Sequence, residues 1–262
     1  MPIAPGSGHP TDLASRSTPV AGTPDDVVRL AGNAPTLAHL DGRSTVCRAC
    51  PRLVTWREEV AEVKRAAYAD ERYWGRPVSG WGAAKPRILV VGLAPAAHGG
   101  NRTGRIFTGD RSGDWLYAAL HRAGLATQAT STRAGDGQQL LHTRLTLAVR
   151  CAPPVNKPST AERNACSPWL AAELRQVLPS VRAVVVLGGF GWTALFPALA
   201  AAGVAVPRPA PAFGHGVELA LDAGPVLLGC YHVSQQNTFT GRLTEPMLDA
   251  VLDRAKGLAG LS

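Results

Sequence analysis

Four of the five cysteines are spaced as metal ligands rather than as disulfide partners. Cys47 and Cys50 form a Cys-x-x-Cys pair, and Cys151 and Cys166 form a looser pair much later in the chain. A fold can bring a close pair and a distant pair together, and both zinc and a 4Fe–4S cluster accept four thiolates. The spacing therefore predicts a four-cysteine metal site without choosing between the two. Cys230 lies in an apolar run and is predicted to be a core residue.

A glycine-rich loop follows an apolar run and offers groups that bind anions or polar ring edges. The apolar run is predicted to be a strand, and Gly92 and Pro95 turn the chain after it. Residues 98–105 then supply free backbone amides and two arginines. Phe107, at the end of the loop, is placed where a nucleic-acid base could stack on its ring. The spacing matches neither the dinucleotide-binding fingerprint nor the Walker pattern, so we do not expect a nucleotide phosphate loop.

A second polar loop, residues 231–244, begins where another apolar run ends. His232 is followed there by Ser, Gln and Asn side chains. A lone histidine is more often structural than catalytic, but one at the carboxyl end of a strand is well placed for a functional site. We therefore expect His232 to take part in chemistry.

Apolar runs that alternate with helical patterns must position these loops. The sequence predicts strands at 87–93, 141–149, 182–187, 217–221 and 226–230. It predicts helices at 26–42, 53–68, 112–123 (with Ser112 as N-cap), 160–178, 192–202 and 243–258. This alternation indicates an α/β fold with three α/β/α layers and a mainly parallel central sheet. Loops 94–109, 150–159 and 231–242 each follow a strand, so we expect them to converge on one sheet edge.

The composition is that of a globular protein with an excess of basic residues. The 262 residues include 45% hydrophobic residues and carry a net charge of +8, with a pI of about 9.7. This charge suits a polyanionic partner, nucleic acid first, although a basic surface can also serve solubility alone. Residues 1–25 are rich in Pro, Gly, Ser and Thr. We therefore expect residues 1–40 to form a disordered or loosely ordered tail and residues 41–262 to form a single domain.

The sequence gives no sign of a membrane partner. No apolar run approaches the roughly 18 residues that a membrane span requires, and the N-terminus lacks a signal pattern. We expect a cytoplasmic protein that associates with the nucleoid.

Together, these motifs resemble those of the uracil-DNA glycosylase superfamily. The resemblance is closest to family 5, the broad-specificity bacterial and archaeal branch, and covers about residues 44–258. Gly92-Leu93-Ala94-Pro95-Ala96 is similar to the first motif of that family, and Thr108-Gly109-Asp110 extends it. Residues 232–244 resemble its second motif. The four cysteines resemble its 4Fe–4S ligands, and residues 150–158 resemble its segment around the third ligand.

The resemblance implies a uracil-DNA glycosylase-like fold and a monofunctional DNA glycosylase. Such an enzyme hydrolyses the N-glycosidic bond of a damaged base that is flipped out of DNA, and so starts base excision repair. It must stabilise the negative charge on the departing base, and His232 fits that role. Classical members hold the attacking water with a carboxylate or amide at the position of Ala94, which carries neither. Asn101 and then Asp110 are our candidates for that catalytic task.

Substrate contacts are expected from both motif loops, and phosphate contacts are expected from basic residues beside them. The substrate-binding set is Gly92, Ala94, Pro95, Ala96, Phe107, Ser234, Gln235 and Asn237. The phosphate-binding set is Arg102, Arg105, Lys157 and Arg242. Leu147 stands where uracil-specific branches have an asparagine that reads the base. We therefore expect activity on uracil and on other deaminated bases such as hypoxanthine.

The expected partner is double-stranded DNA with damaged bases, or single-stranded DNA, bound by a monomer. The implied 4Fe–4S cluster on Cys47, Cys50, Cys151 and Cys166 is expected to be structural. Because Ala94 lacks the usual catalytic group, one alternative is a non-catalytic protein on the same fold that binds damaged DNA or other nucleic acid. Another is a zinc-stabilised small-molecule hydrolase.

Overall fold

One mixed sheet runs through the centre of the protein. The computed structural model describes residues 1–222 and 224–261. In this part of the chain the strands are β1 Trp81–Gly82, β2 Ile88–Gly92, β3 Thr143–Leu147, β4 Ala183–Leu187, β5 Glu218–Ala220 and β6 Val226–Cys230. They lie in the order β1-β3-β2-β4-β6-β5. The four central strands are parallel, whereas β1 and β5 pair antiparallel at the two edges.

Helices cover both faces of this sheet. They are α1 Pro24–Gly32, α2 Leu37–Ser44, α3 Pro51–Val63, α4 Gly100–Thr103, α5 Arg111–Arg122, α6 Thr160–Val177, α7 Gly189–Ala201, α8 Gln235–Phe239 and α9 Glu245–Ala259. Successive residues of a strand point to opposite faces. Ile88 and Val90 therefore pack with α5 and α9, while Leu89 and Val91 pack with α6 and α7. Helices α1 and α2 pack on the outside of α6.

The expected three-layer α/β/α fold is confirmed. Val90 lies opposite Leu145 on one neighbouring strand and opposite Val185 on the other. All five residues of β2, β3 and β4 are buried, as expected for central strands covered on both faces. Because the central strands are parallel, their carboxyl ends all lie at the same edge of the sheet.

Two predicted helices are interrupted in the structure. The range 26–42 contains α1 and α2, separated around Pro35, after which Thr36 caps α2 by accepting from the His39 N–H. Proline disfavours a helical conformation in the residue before it, which explains the break. Helix α3 ends at Val63 rather than near residue 68, because Lys64 has a φ of 61°.

The loose tail expected for residues 1–40 differs from the structure. Ile3 is buried, and its N–H donates to the Trp74 carbonyl at 3.1 Å. Asp12 pairs with the buried Arg76 at 2.7 Å, and the His9 ring lies 4.9 Å from the Trp74 ring. A few apolar and ionic anchors hold this Pro- and Gly-rich segment against the domain, although it has little regular structure before α1. Among the described residues, no helix has both the length and the apolar character to cross a membrane.

Candidate active site

The two motif loops meet at the carboxyl edge of the sheet. The chain continues the pairing of β2 and β3 beyond the strands, since Ala148 N–H donates to Gly92 O at 3.0 Å and Val149 N–H donates to Leu93 O at 2.9 Å. The ring centroids of Phe107 and His232 are 6.3 Å apart. The expected convergence of these loops is therefore found at the edge where ligands bind in α/β proteins.

His232 is partly buried and lies two residues after the end of β6. Its carbonyl accepts a hydrogen bond from Asn237 Nδ2 at 2.8 Å, which closes the loop on itself. Burial lowers the pKa of His232 to about 4, because a charged imidazole loses its hydration there. His232 is therefore neutral near pH 7 and presents an uncharged N–H donor and a ring nitrogen acceptor.

This low pKa predicts acid sensitivity of the fold. The folded pKa lies below the ordinary 6.5, so the contribution to stability is complete above about pH 6.5 and is lost as pH falls towards 4. The loss amounts to about 3.5 kcal/mol at most, given about 1.4 kcal/mol for each pKa unit between 6.5 and about 4. We expect His232→Gln to flatten the fall in unfolding free energy between about pH 7 and 4.5, measured by urea denaturation. His39→Gln, at an exposed position on α2, is the control. An unchanged slope in His232→Gln would contradict the buried neutral state.

Phe107 is fixed against the first motif in an unusual backbone conformation. Its φ of 50° lies in the left-handed region, which is costly for a non-glycine residue and is typical of functional sites. A Cβ on Gly92 would lie 2.8 Å from Phe107 Cζ, so only glycine leaves room for the ring. Phe107 is 8% exposed. This placement gives a rigid aromatic ring beside His232, suited to stacking on a flat base.

Asp110 lies at the start of α5 and next to the motif loop. It is the N-cap of that helix, where Ser112 had been expected, and its Oδ1 accepts from the Gly113 N–H at 2.9 Å. Its Oδ2 lies so close to Gly99 that a Cβ atom on residue 99 would overlap this oxygen. Burial raises the pKa of this carboxyl. Asp110 therefore remains a candidate for holding the attacking water.

Asn101 is placed differently from our expectation. It is 0% exposed, and its Nδ2 donates to the Arg57 carbonyl at 3.1 Å. The side chain thus joins α4 to α3 and has no open face towards a substrate. The structure does not support the water-holding role for Asn101, because its amide is used inside the protein.

Arg102 and Arg105 are buried, so the DNA phosphate contacts expected for them are wrong. Arg102 is 6% exposed; it pairs with Glu71 at 2.5 Å and lies 3.8 Å over the Tyr68 ring. Arg105 is 3% exposed and pairs with Asp136 at 2.6 Å. Both guanidinium groups hold the motif loop in shape rather than facing solvent.

Lys157 and Arg242 are exposed and remain candidates for phosphate contacts. Arg242 lies 4.7 Å over the ring of Tyr231, the residue before His232. The structure adds two residues that our sequence analysis missed: Arg111 lies 5.4 Å over the Phe239 ring, and Phe239 is 66% exposed. The aromatic Phe239 in the middle of a polar loop was the signal that could have identified this rim.

The remaining motif residues form the frame of the site. Ala94 and Ala96 are partly buried, and Pro95 packs against Gly100, where a Cβ would lie 3.0 Å from the proline ring. Ser234 is the N-cap residue of α8, and Gln235 follows it with an exposed side chain. Asn237 is used internally on the His232 carbonyl, so it shapes the loop.

The four predicted metal-ligand cysteines meet in one cavity, which we call the cysteine cage. Cys50 is the N-cap residue of α3, Cys166 lies within α6, and Cys47 and Cys151 lie in loops. The cavity that they line is small, with a volume of about 20 Å³. Burial and the neighbouring thiols of Cys151 and Cys47 raise the pKa of the Cys50 thiol to about 12.

The lining of the cage suits a large anionic group. Arg57 Nη1 donates to Cys151 Sγ at 2.8 Å. Arg57 Nε and Trp169 Nε1 are buried in the cage lining without a hydrogen-bond partner among the described residues. Within the same part of the chain, no group of three or more His, Cys, Asp or Glu side chains is arranged to hold a metal ion. The four thiols and the unpaired N–H donors beside them have the chemistry of a thiolate-bound, negatively charged metal centre.

Comparison with known proteins identifies the family of this chain. Residues 79–256 match the family model described as the uracil DNA glycosylase superfamily. A type-5 uracil-DNA glycosylase of Mycobacterium tuberculosis is 58% identical over 260 residues, which cover 99% of this chain and 96% of the relative. Type-5 uracil-DNA glycosylases of Thermus thermophilus and Pyrobaculum aerophilum are 52% and 46% identical, over 83% and 82% of this chain and 95% and 89% of the relatives. The chain therefore belongs to the uracil DNA glycosylase superfamily, as its motifs and fold had indicated.

Proposed function

We propose that this protein is a monofunctional DNA glycosylase that removes uracil and other deaminated bases from DNA and so starts base excision repair. The observation that carries the proposal is the neutral His232 beside the Phe107 ring, at the edge where both motif loops meet. A flat base can stack on Phe107 while His232 reaches its edge. The names of the relatives support uracil as the base and DNA as the polymer.

The proposed reaction follows from charge development at the two ends of the N-glycosidic bond. As the bond breaks, its electron pair moves to the base, and the sugar acquires positive charge. The neutral His232 can donate an N–H to the base oxygen that becomes negative, from a position that the loop after β6 fixes in advance. Water then adds to the sugar and loses a proton, which leaves a hydroxyl group at an abasic site and neutralises the departed base anion. Asp110 is the residue that we assign to orienting this water.

The proposed breadth of substrate rests on an apolar wall. Leu147 is 2% exposed and packs against Gly92, where a Cβ would lie 2.9 Å from its Cδ2. A polar side chain at this point would reject bases that leave it unpaired, whereas leucine imposes no such penalty. Hypoxanthine should therefore be accepted together with uracil.

We also propose that Cys47, Cys50, Cys151 and Cys166 hold a 4Fe–4S cluster. The convergence of the thiols and the unpaired donors around them support this choice over zinc. The cluster would supply cross-linking, since it would join the loop after α2, the start of α3, the loop after β3 and helix α6. Its role would thus be to stabilise the fold on the side next to the motif loops.

The function is tested by incubating the protein with duplexes that carry uracil, hypoxanthine or only normal bases, followed by hot alkali to break abasic sites. Strand breaks are expected at uracil and hypoxanthine and not in the normal duplex. The same oligonucleotides as single strands determine the preferred form of DNA. Binding without breaks would favour the non-catalytic alternative, and cleavage of uracil alone would contradict the proposed breadth.

The exposed arginine beside the site should govern the salt dependence of DNA binding. We expect Arg242→Gln to weaken binding of any DNA sequence and to reduce the slope of log affinity against log salt by about one. Fluorescence anisotropy with labelled duplex DNA at several salt concentrations measures the slope. Arg254→Gln is the matched control, since Arg254 is exposed on α9 and paired with Glu218 at 2.7 Å. Equal slopes for Arg242→Gln and wild type would remove Arg242 from the interface.

A further inference from the structure

Arg57 contacts both the cysteine cage and the first motif loop. Its side chain lies in the interior, 1% exposed. Nη1 donates to Cys151 Sγ at 2.8 Å, and Nη2 donates to the Cys47 carbonyl at 3.0 Å. The carbonyl of Arg57 itself accepts the hydrogen bond from Asn101. The residue therefore joins the cage through its side chain and the loop through its backbone.

The charge of Arg57 has no bonded carboxylate to balance it. Among the described residues, the nearest carboxylate oxygen is Glu58 Oε1 at 3.8 Å, and that carboxylate is bound by the exposed Arg48. A cation buried without a hydrogen-bonded anion is strongly destabilising. Four thiolates around an iron–sulfur core carry a net negative charge, so a loaded cage would balance Arg57.

Asn101 carries the contact into the motif loop. It is fully buried in α4, its backbone N–H donates to the Ala96 carbonyl at 3.1 Å, and its carbonyl accepts from the Gly75 N–H at 2.9 Å. Ala94, at the centre of the motif, packs in the same apolar cluster as Cys50, Cys151 and Cys166. The loop that would lie under the base is thus in contact with the cage.

We propose that Arg57 is a positioning residue that ties the contents of the cysteine cage to the placement of the first motif loop. The inference rests on the proposed glycosylase function and cluster, and it adds a route by which a structural cluster affects the rate of excision. Loss of the bond to Cys151 loosens both the cage and the segment from Ala94 to Asn101. Loss of the Asn101 amide loosens the loop alone.

The test uses three variants of the protein purified with its cluster. Arg57→Lys keeps the positive charge but loses the planar guanidinium group that donates to two acceptors at once. Asn101→Ala cuts the contact on the loop side only. Arg48→Gln changes an exposed arginine of the same cysteine loop and is the matched control. The readouts are iron content, the rate at which an iron chelator bleaches the visible absorption, single-turnover excision of uracil, and DNA affinity.

We expect Arg57→Lys to bleach about 10-fold faster than wild type, which is the lower end of the usual effect of losing a partner next to a metal ligand. Its excision rate should fall by a similar factor of about 10 at unchanged DNA affinity, because the loop is displaced while the DNA-binding surface is not. Asn101→Ala should keep the bleaching rate of wild type but lose about 10-fold in excision. Arg48→Gln should match wild type in both.

Wild-type bleaching or excision rates in a folded Arg57→Lys would overturn the inference, as would a wild-type protein without iron. If Arg57→Lys does not fold, Asn101→Ala decides: an unchanged excision rate overturns the link to the loop. Failure of the proposed function gives a different result, namely a wild-type protein that does not cut uracil-containing DNA. In that event the bleaching rates alone test the contact between Arg57 and the cage.

Discussion

His232→Ala is expected to lower the single-turnover rate of uracil excision by about 100- to 1,000-fold, the usual effect of removing one donor from a preorganised oxyanion site. The effect should be large because His232 is neutral and partly buried in a loop that Asn237 holds in place. Its N–H can therefore be aligned with the base in advance. DNA affinity should change much less, since the donor acts mainly on charge that develops as the bond breaks.

The measurement is single-turnover excision from a uracil duplex with enzyme in excess, together with binding to a duplex of normal sequence. His121→Ala is the matched control, because His121 is exposed on α5. Thermal unfolding of each variant shows whether the fold is intact. An intact His232→Ala protein within about threefold of the wild-type rate would exclude His232 as the principal donor, since 100-fold is the lower bound expected.

Glu173→Gln is expected to destabilise the protein by about 3–5 kcal/mol, because it leaves buried guanidinium groups without their main anion. Glu173 is 0% exposed on α6 and accepts from Arg144 Nε at 2.5 Å, from Thr146 Oγ1 at 2.6 Å and from Arg150 Nη2. Among the described residues, Asp41, 2.7 Å from Arg144 Nη2, is the carboxylate that would remain to balance the two cations. Such a loss is a large part of the total stability of a typical domain, about 5–15 kcal/mol.

Urea denaturation followed by circular dichroism measures this change in unfolding free energy. Glu218→Gln is the matched control, because Glu218 also pairs with an arginine but is exposed at a sheet edge. Exposed pairs contribute about 0–1 kcal/mol, so this variant should remain close to wild type. Equal losses in the two variants would show that the buried network adds no special stability. The network also lies beside the cage, since Arg150 N–H donates to Cys166 Sγ at 3.4 Å.

The sequence was sufficient to predict the layers of the fold because the pattern of each apolar run is local. The consecutive apolar side chains between Arg87 and Leu93 predict a buried strand, and the structure places β2 there. The position of His232 after such a run also placed it correctly at the carboxyl edge. The break at Pro35 could have been predicted, since the rule for residues before proline is equally local.

The failures concern residues whose role depends on partners far away in the chain. Arg102 and Arg105 look like phosphate ligands in a glycine-rich loop, but Glu71 and Asp136 come from other segments and bind them in the interior. In the sequence, the Asn101 amide looks free to hold a water. In the structure it donates to the carbonyl of Arg57, a residue of α3. Composition and spacing carry no information about such pairings, so exposure of a charged side chain in a loop could not be predicted.

The edges of the sheet have a consequence for behaviour at high concentration. The four parallel strands in the middle are flanked by β1, with two residues, and β5, with three. Unpaired backbone N–H and C=O groups along a sheet edge form a template on which another chain can add a strand. A short edge strand has few such groups. The apolar runs that build the core are thus shielded from intermolecular strand addition. A folded molecule should therefore resist growth into aggregates, whereas a chain that has lost β1 or β5 would expose the five-residue strand β3 or the apolar five-residue strand β6.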